Sequence, residues 1–427
     1  MNILIIFILT YLGMIIFAHY RAQIAIASAL LTIFLNLIPL NIALSSINYN
    51  VLMMIAGTMG TVALFIESKM PALLADIIID RAKNMKMMIL TLSLFAGIIS
   101  AFVDNVATVL MVVPVAITIS KKINQSPVPA VIAISIASNL QGAATLVGDT
   151  TSILLAGYNN MNFLDFFIYD GKMGLFWIVQ LSMIFSTIFL YFYLGKQNQK
   201  IELNEQTQVN DFIPTILLLA TIITLIVCSF IDSHHFNFLP KADTNLNGYI
   251  CMFYCILGLI IQGLRHGFRK TAKIIYEGLD FYTLFLLTGL FVIIGAVSYG
   301  GIINQIANFF VNIGTKDIFI LYTAITFISV LLSAFIDNIP YVATMLPVIG
   351  TIALKLGIDP TILYFGLLSG ATLGGNITPI GASANITSLG MLKKEGYHVK
   401  SKTFMKMSTP YTLIAVISGY ILIWFIY

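Results

Sequence analysis

Two short stretches set an acid and an amide inside apolar chain: residues 100–105 read SAFVDN and residues 333–338 read SAFIDN. The carboxylate of such a pair can cap the following helix, hold a cation or carry a proton. The amide can donate to or accept from a small ligand. The stretches lie 233 residues apart, and ten of twenty positions are identical between 100–119 and 333–352, Pro114 and Pro347 among them. At the same offset and without a gap, 142–153 (GAATLVGDTTSI) falls on 375–386 (GNITPIGASANI). Four segments therefore carry the candidate substrate- or ion-binding groups. They are Asp104, Asn105 and Thr108; Gly142, Thr145, Gly148, Asp149 and Thr150; Asp337 and Asn338; and Gly375, Asn376, Thr378, Gly381, Ser383 and Asn385. Hydroxyls and amides supply ligating atoms, glycines allow close backbone approach, and sodium could sit at Asp104, Asn105, Asp337 and Asn338. No catalytic residue is expected.

Composition places these segments in a bilayer. The chain has 427 residues, 59% hydrophobic and 9% charged, with a mean hydropathy of +0.96, too few polar groups to cover a water-soluble surface. Continuous runs of Leu, Ile and Phe read as spanning helices rather than the alternating strands of an outer-membrane barrel. The first run lacks a basic residue before it and a small-residue cleavage site after it, and is read as a retained span. Ten full spans are expected near 2–18, 22–40, 49–66, 129–157, 173–194, 212–231, 248–264, 281–298, 361–390 and 409–427. Two further apolar segments, 87–120 and 318–354, each hold one Asp-Asn pair.

With both termini outside, eighteen basic residues fall in inside loops and four outside, the bias of the positive-inside rule. That count requires each Asp-Asn segment to enter and leave on one side. Arms of 16 and 15 residues in the first would reach only about 22–24 Å at about 1.5 Å per residue, against a core of about 30 Å. Re-entrant hairpins are the expectation. The fold class is an all-α polytopic membrane protein in two inverted-topology repeats. The first, 1–194, holds hairpin 87–120 and broken span 129–157. A cytoplasmic linker, 195–211, leads to the second, 212–427, with hairpin 318–354 and broken span 361–390. Interrupted helices leave backbone groups unpaired at a cost of several kcal/mol in hydrocarbon, so they are kept where they line a wet cavity or grip a ligand.

The runs DNVATVLMVVP and GAATLVGDTTS, then DNIPYVATMLP and GATLGGNITPIGASANI, resemble the ion transporter superfamily over nearly the whole chain. The closest likeness is to its arsenite-efflux permease, P protein and NhaD-type branch, with a citrate transporter-like domain. The tail LKKEGYHVKSKTFMKMSTP is similar to that branch too. A more distant likeness is to divalent-anion:sodium symporters, whose tips carry Ser-Asn-Thr; here Asp104-Asn105-Val106 and Asp337-Asn338-Ile339 stand instead. The resemblance implies a scaffold, two moving transport domains of elevator type, a homodimer, and coupling to sodium or protons with no further cofactor.

The charge of the segments bears on the ligand. Asp104, Asp149 and Asp337 have no Lys or Arg beside them in the four elements, so a bare anion would be repelled. A secondary transporter of a small inorganic ion is expected: arsenite- or antimonite-type efflux, or sodium/proton exchange, in the plasma membrane. The alternative is a sodium-coupled di- or tricarboxylate symporter, with an ion channel as the reading from another class. Asp149 is read as the main carrier of coupling, because the repeat sets it against Ala382. An enzyme is not expected: the His234–His235 pair falls in a loop, and Cys251 and Cys255, four apart, read as small core residues before soft-metal ligands. No nucleotide-binding loop is present, so ATP drive would need a separate ATPase subunit. Nothing points to nucleic acid; the partners expected are the ion, the lipid bilayer and a second copy.

Overall fold

A backbone without water to bond to closes its hydrogen bonds within helices, and that is what the computed structural model shows. It describes every residue except 1, 81, 83, 196–206, 210, 232–234, 236–238 and 313–316. The linker 195–211 therefore lies largely outside the described residues, as do His234 and the loop cations Arg81, Lys83, Lys196, Lys200 and Lys316. The first ten helices are α1 (Asn2–Ile16), α2 (Arg21–Phe34), α3 (Leu40–Ser45), α4 (Tyr49–Glu67), α5 (Met70–Ile79), α6 (Met85–Ser100), α7 (Asn105–Lys122), α8 (Val128–Gln141), α9 (Thr150–Asn159) and α10 (Leu175–Tyr193). The next ten are α11 (Ile213–Cys228), α12 (Ala242–His266), α13 (Phe268–Gly278), α14 (Phe281–Tyr299), α15 (Ile302–Asn312), α16 (Ile318–Ser333), α17 (Asn338–Leu356), α18 (Thr361–Gly374), α19 (Ser383–Lys394) and α20 (Ser401–Ile426). One small antiparallel pairing, Ile168 with Met173 and Tyr169 with Lys172, closes the turn before α10.

The starts of α6, α7, α8 and α9 fall on those of α16, α17, α18 and α19 at the offset of 233 residues. Neighbours follow the same pattern: α6 lies on α8 and α16 on α18, α2 lies on α14 and α12 on α4, and α10 meets α20. Small residues allow the closest crossings. A Cβ at Gly289 would meet the backbone of Ala25, and one at Gly57 the backbone of Cys251, so α2/α14 and α4/α12 approach almost backbone to backbone. Cys251 and Cys255 are free thiols on that crossing.

Helix lengths differ from the expected spans in places. The helices within 2–18 and 22–40 have 15 and 14 residues, because α2 gives way before Pro39 and the short α3 follows. The spans expected to be broken, 129–157 and 361–390, are each two helices, α8 with α9 and α18 with α19, with non-helical chain between them. The second arms of the Asp-Asn segments have 18 and 19 residues, the first of them longer at both ends than the 15 counted, and each helix runs on through its proline. Thr118 Oγ1 donates to the Pro114 carbonyl at 2.8 Å and Thr351 Oγ1 to the Pro347 carbonyl at 2.9 Å. Among the described residues, seven helices are long and apolar enough to cross a membrane, those two arms included. Arm length alone therefore no longer separates a re-entrant hairpin from a pair of spans.

Candidate functional site

Each Asp-Asn tip is built by a helix cap. Asp104 Oδ1 accepts from the backbone N–H of Val106 at 3.0 Å and of Ala107 at 3.2 Å; Asp337 Oδ1 accepts from Ile339 at 3.1 Å. These bonds satisfy orphan donors at the starts of α7 and α17. The next residue turns inward. Asn105, buried, donates from Nδ2 to Asn139 Oδ1 at 2.9 Å, and its carbonyl accepts from Ser138 Oγ at 3.1 Å.

Behind each tip lies the break in the following span. In the first half, Thr145 Oγ1 donates to the Ala101 carbonyl, and Ser152 Oγ donates to that of Gly142 at 3.0 Å. Gly148 sits so close that a Cβ would lie 2.7 Å from the Gly142 carbonyl oxygen and 2.9 Å from that of Ala101. The second half repeats this with different residues. Thr378 Oγ1 donates to the Ala334 carbonyl, and Asn385, at the position of Ser152, donates to the carbonyls of Gly375 and Thr378 at 3.2 Å each. Gly381 takes the place of Gly148, against Gly375, Ala334 and Ser333.

One difference falls at the start of the second piece. Asp149 caps α9, accepting from Thr150 N–H at 2.8 Å and from Thr151 Oγ1 at 2.9 Å; Ala382 gives α19 no side-chain cap. Asp149 is thus a helix cap as well as a coupling candidate. A polar seam joins the two breaks. Asn139 Nδ2 donates to the Thr372 carbonyl at 2.9 Å, Asn376 Nδ2 to that of Ile136 at 2.8 Å, and Ser135 Oγ to Asn385 Oδ1 at 2.7 Å.

Both halves open on one cavity of about 380 Å³. Of the sixteen candidates, Asp104, Asn105, Asp149, Thr150, Asn338 and Ser383 line it. Thr108, Gly142, Thr145, Gly148, Gly375, Asn376, Thr378, Gly381 and Asn385 stand behind that wall. Asp337 is drawn aside: its Oδ2 accepts from Arg21 Nη1 at 2.9 Å, both side chains 15% exposed. Arg21 arrives from the start of α2, outside the four elements in which no cation was expected.

Two acids that sequence reasoning passed over also line the cavity. Asp280, the cap of α14, and Glu277 stand at its exposed edge. An Asp directly before the apolar run 281–298 was the available signal for Asp280; for Arg21 no sequence pattern was available. No Lys or Arg is among the described residues that line the cavity, so the field inside favours cations and disfavours anions.

Comparison with known proteins bears on the whole arrangement. A family model described as Citrate transporter matches residues 4–370. An uncharacterised transporter of Mycobacterium tuberculosis is 26% identical over 389 residues, covering 90% of this chain and 87% of that one. Human P protein is 26% identical over 408 residues, covering 78% of this chain and 48% of its own length. Among solved structures, the YdaH transporter of Alcanivorax borkumensis shares the fold with a TM-score of 0.57 at 14% identity, covering 87% of this chain and 84% of that one. The MtrF protein of Neisseria gonorrhoeae does so with a TM-score of 0.54 at 15% identity, covering 88% and 80%.

Proposed function

The chain belongs to the citrate transporter family and is a multi-pass membrane transporter; from that premise we propose that it is a cation-coupled secondary transporter working by alternating access at the cavity between its two Asp-Asn tips. The observation that carries this reading is the cavity wall itself, which takes groups from both halves and, among the described residues, has Asp104, Asp149, Asp280 and Glu277 with no Lys or Arg. Fixed acids facing a wet cavity bind and release small cations or protons, and each such step changes the charge that the moving part carries.

The substrate class that fits is a small inorganic cation, or a neutral hydroxide of the arsenite or antimonite kind exchanged for protons. Sodium would use Asp104 with the amide of Asn105, and Asn338 from the other half. Inverted halves, elevator movement, a plasma-membrane location with both termini outside and a homodimer complete the reading. A second reading, symport of a citrate-like carboxylate, is favoured by the family's own name and would need cations bound first to reverse the field of the acids.

Purified protein in liposomes tests the reading. With imposed sodium or proton gradients, flux of sodium, arsenite or citrate should saturate and follow the gradient. Flux at channel rates that does not saturate would overturn it.

A further inference from the structure

The two tips carry the same Asp-Asn pair, yet their carboxylates are held differently. At the first tip, Asp104 uses Oδ1 to cap α7, and no basic side chain pairs with it among the described residues. At the second, Asp337 uses Oδ1 to cap α17 and Oδ2 to bind Arg21 at 2.9 Å. Arg21 is fixed from its other side as well, donating from Nε to the Met14 carbonyl at 3.2 Å. The same corner is tied to α17 by Tyr11, whose hydroxyl donates to the Pro340 carbonyl at 3.0 Å and meets Thr344 Oγ1. The repeat offers no counterpart: 233 residues after Arg21 stands Tyr254. The first tip instead faces Asp149 and Asp280 across the cavity.

A carboxylate at membrane depth needs a proton, water or a cation. We propose that the Arg21 guanidinium is a built-in cation that occupies, at the second tip, the place a mobile coupling ion would otherwise take, leaving the Asp104 side as the one mobile-cation position. The inference rests on cation coupling at the tips and adds an asymmetry to it. An arginine keeps its charge at any working pH and bonds a carboxylate with directed donors, so the second tip is neutralised permanently while the first is neutralised only when an ion arrives. Each cycle then moves one coupling cation fewer than two equal tips would require.

Equilibrium dialysis of the purified protein against radioactive sodium, at alkaline pH, tests this without knowledge of the substrate. Arg21→Gln should bind one more sodium per chain than the wild type, because Asp337 is left without its fixed partner. Arg21→Lys should bind the wild-type number, and Arg21→Gln with Asp337→Asn should return to it. Elution of each variant as a single folded species in gel filtration accompanies the count. Equal sodium binding by wild type and Arg21→Gln would overturn the proposal, as would two sodium ions per wild-type chain. Failure of coupled transport as such would show separately, as liposome flux indifferent to any cation gradient.

Discussion

At the scale of single residues, Asp149 holds two roles that one pair of substitutions separates. Its carboxylate caps α9 through Thr150 and Thr151, and Asn serves as well in that position, whereas Ala removes a cap worth roughly 0.5–2 kcal/mol. Asp149→Asn should therefore melt close to the wild type in detergent while losing the dependence of flux on a sodium or proton gradient. Asp149→Ala should lose stability by about 1 kcal/mol as well. Gradient dependence that survives in Asp149→Asn would reduce the residue to its cap. A second residue-scale test concerns close approach. A Cβ at Gly148 would press on two carbonyl oxygens, whereas one at Gly390 meets nothing within 4 Å. Gly148→Ala should cost about 1–3 kcal/mol and displace the first tip; Gly390→Ala should leave thermal unfolding unchanged.

At the scale of elements, the seam between the broken spans makes α8, α9, α18 and α19 one body. Asn139 links it to the first tip, accepting from Asn105 and donating to Thr372. Asn139→Leu should destabilise by about 1–3 kcal/mol, the cost of leaving buried partners unsatisfied, read as a lower melting temperature. Much of this was legible in the residues. The 233-residue repeat located tips and breaks, and the glycines at 142, 148, 375 and 381 marked where backbone meets backbone. Asn139 was not legible, since a lone Asn in an apolar helix gives no sign of its partner across the seam. Nor was Arg21, because its partner lies 316 positions away and only tertiary packing brings them together. Helix ends were misjudged where hydropathy cannot see backbone geometry, as in the early stop of α2 at Phe34 and the run of α7 on to Lys122.

At the scale of the whole molecule, the linker's far end is tied to the helices by charge. Asp211 is partly buried, which alone would raise its pKa, but donors from Gln262, the Ile213 N–H and Arg265 outweigh this and hold its carboxyl below the usual carboxylate range. A depressed folded-state value means that the stabilisation is present above the unfolded-state value and is lost as pH falls through the folded one. Stability should thus stay level from neutrality down to the carboxylate range and fall below it. Asp211→Asn should flatten the acid side of a plot of melting temperature against pH. The tips present a second whole-molecule feature. Val106 and Ile339 line the same cavity in this conformation, whose edge is the exposed Glu277 and Asp280. In a background without Cys228, Cys251 and Cys255, cysteines placed at 106 and 339 should both react from the side of Glu277 in this state.

The central claim is that the two tips form one transport site, and gradient-driven flux in liposomes tests it most directly with Asn105→Ala and Asn338→Ala beside the wild type. Both amides line the cavity from opposite halves, so each substitution should cut saturable flux at least about tenfold, the equivalent of about 1.4 kcal/mol, while the protein stays folded in the membrane. Wild-type flux in both variants would contradict the account.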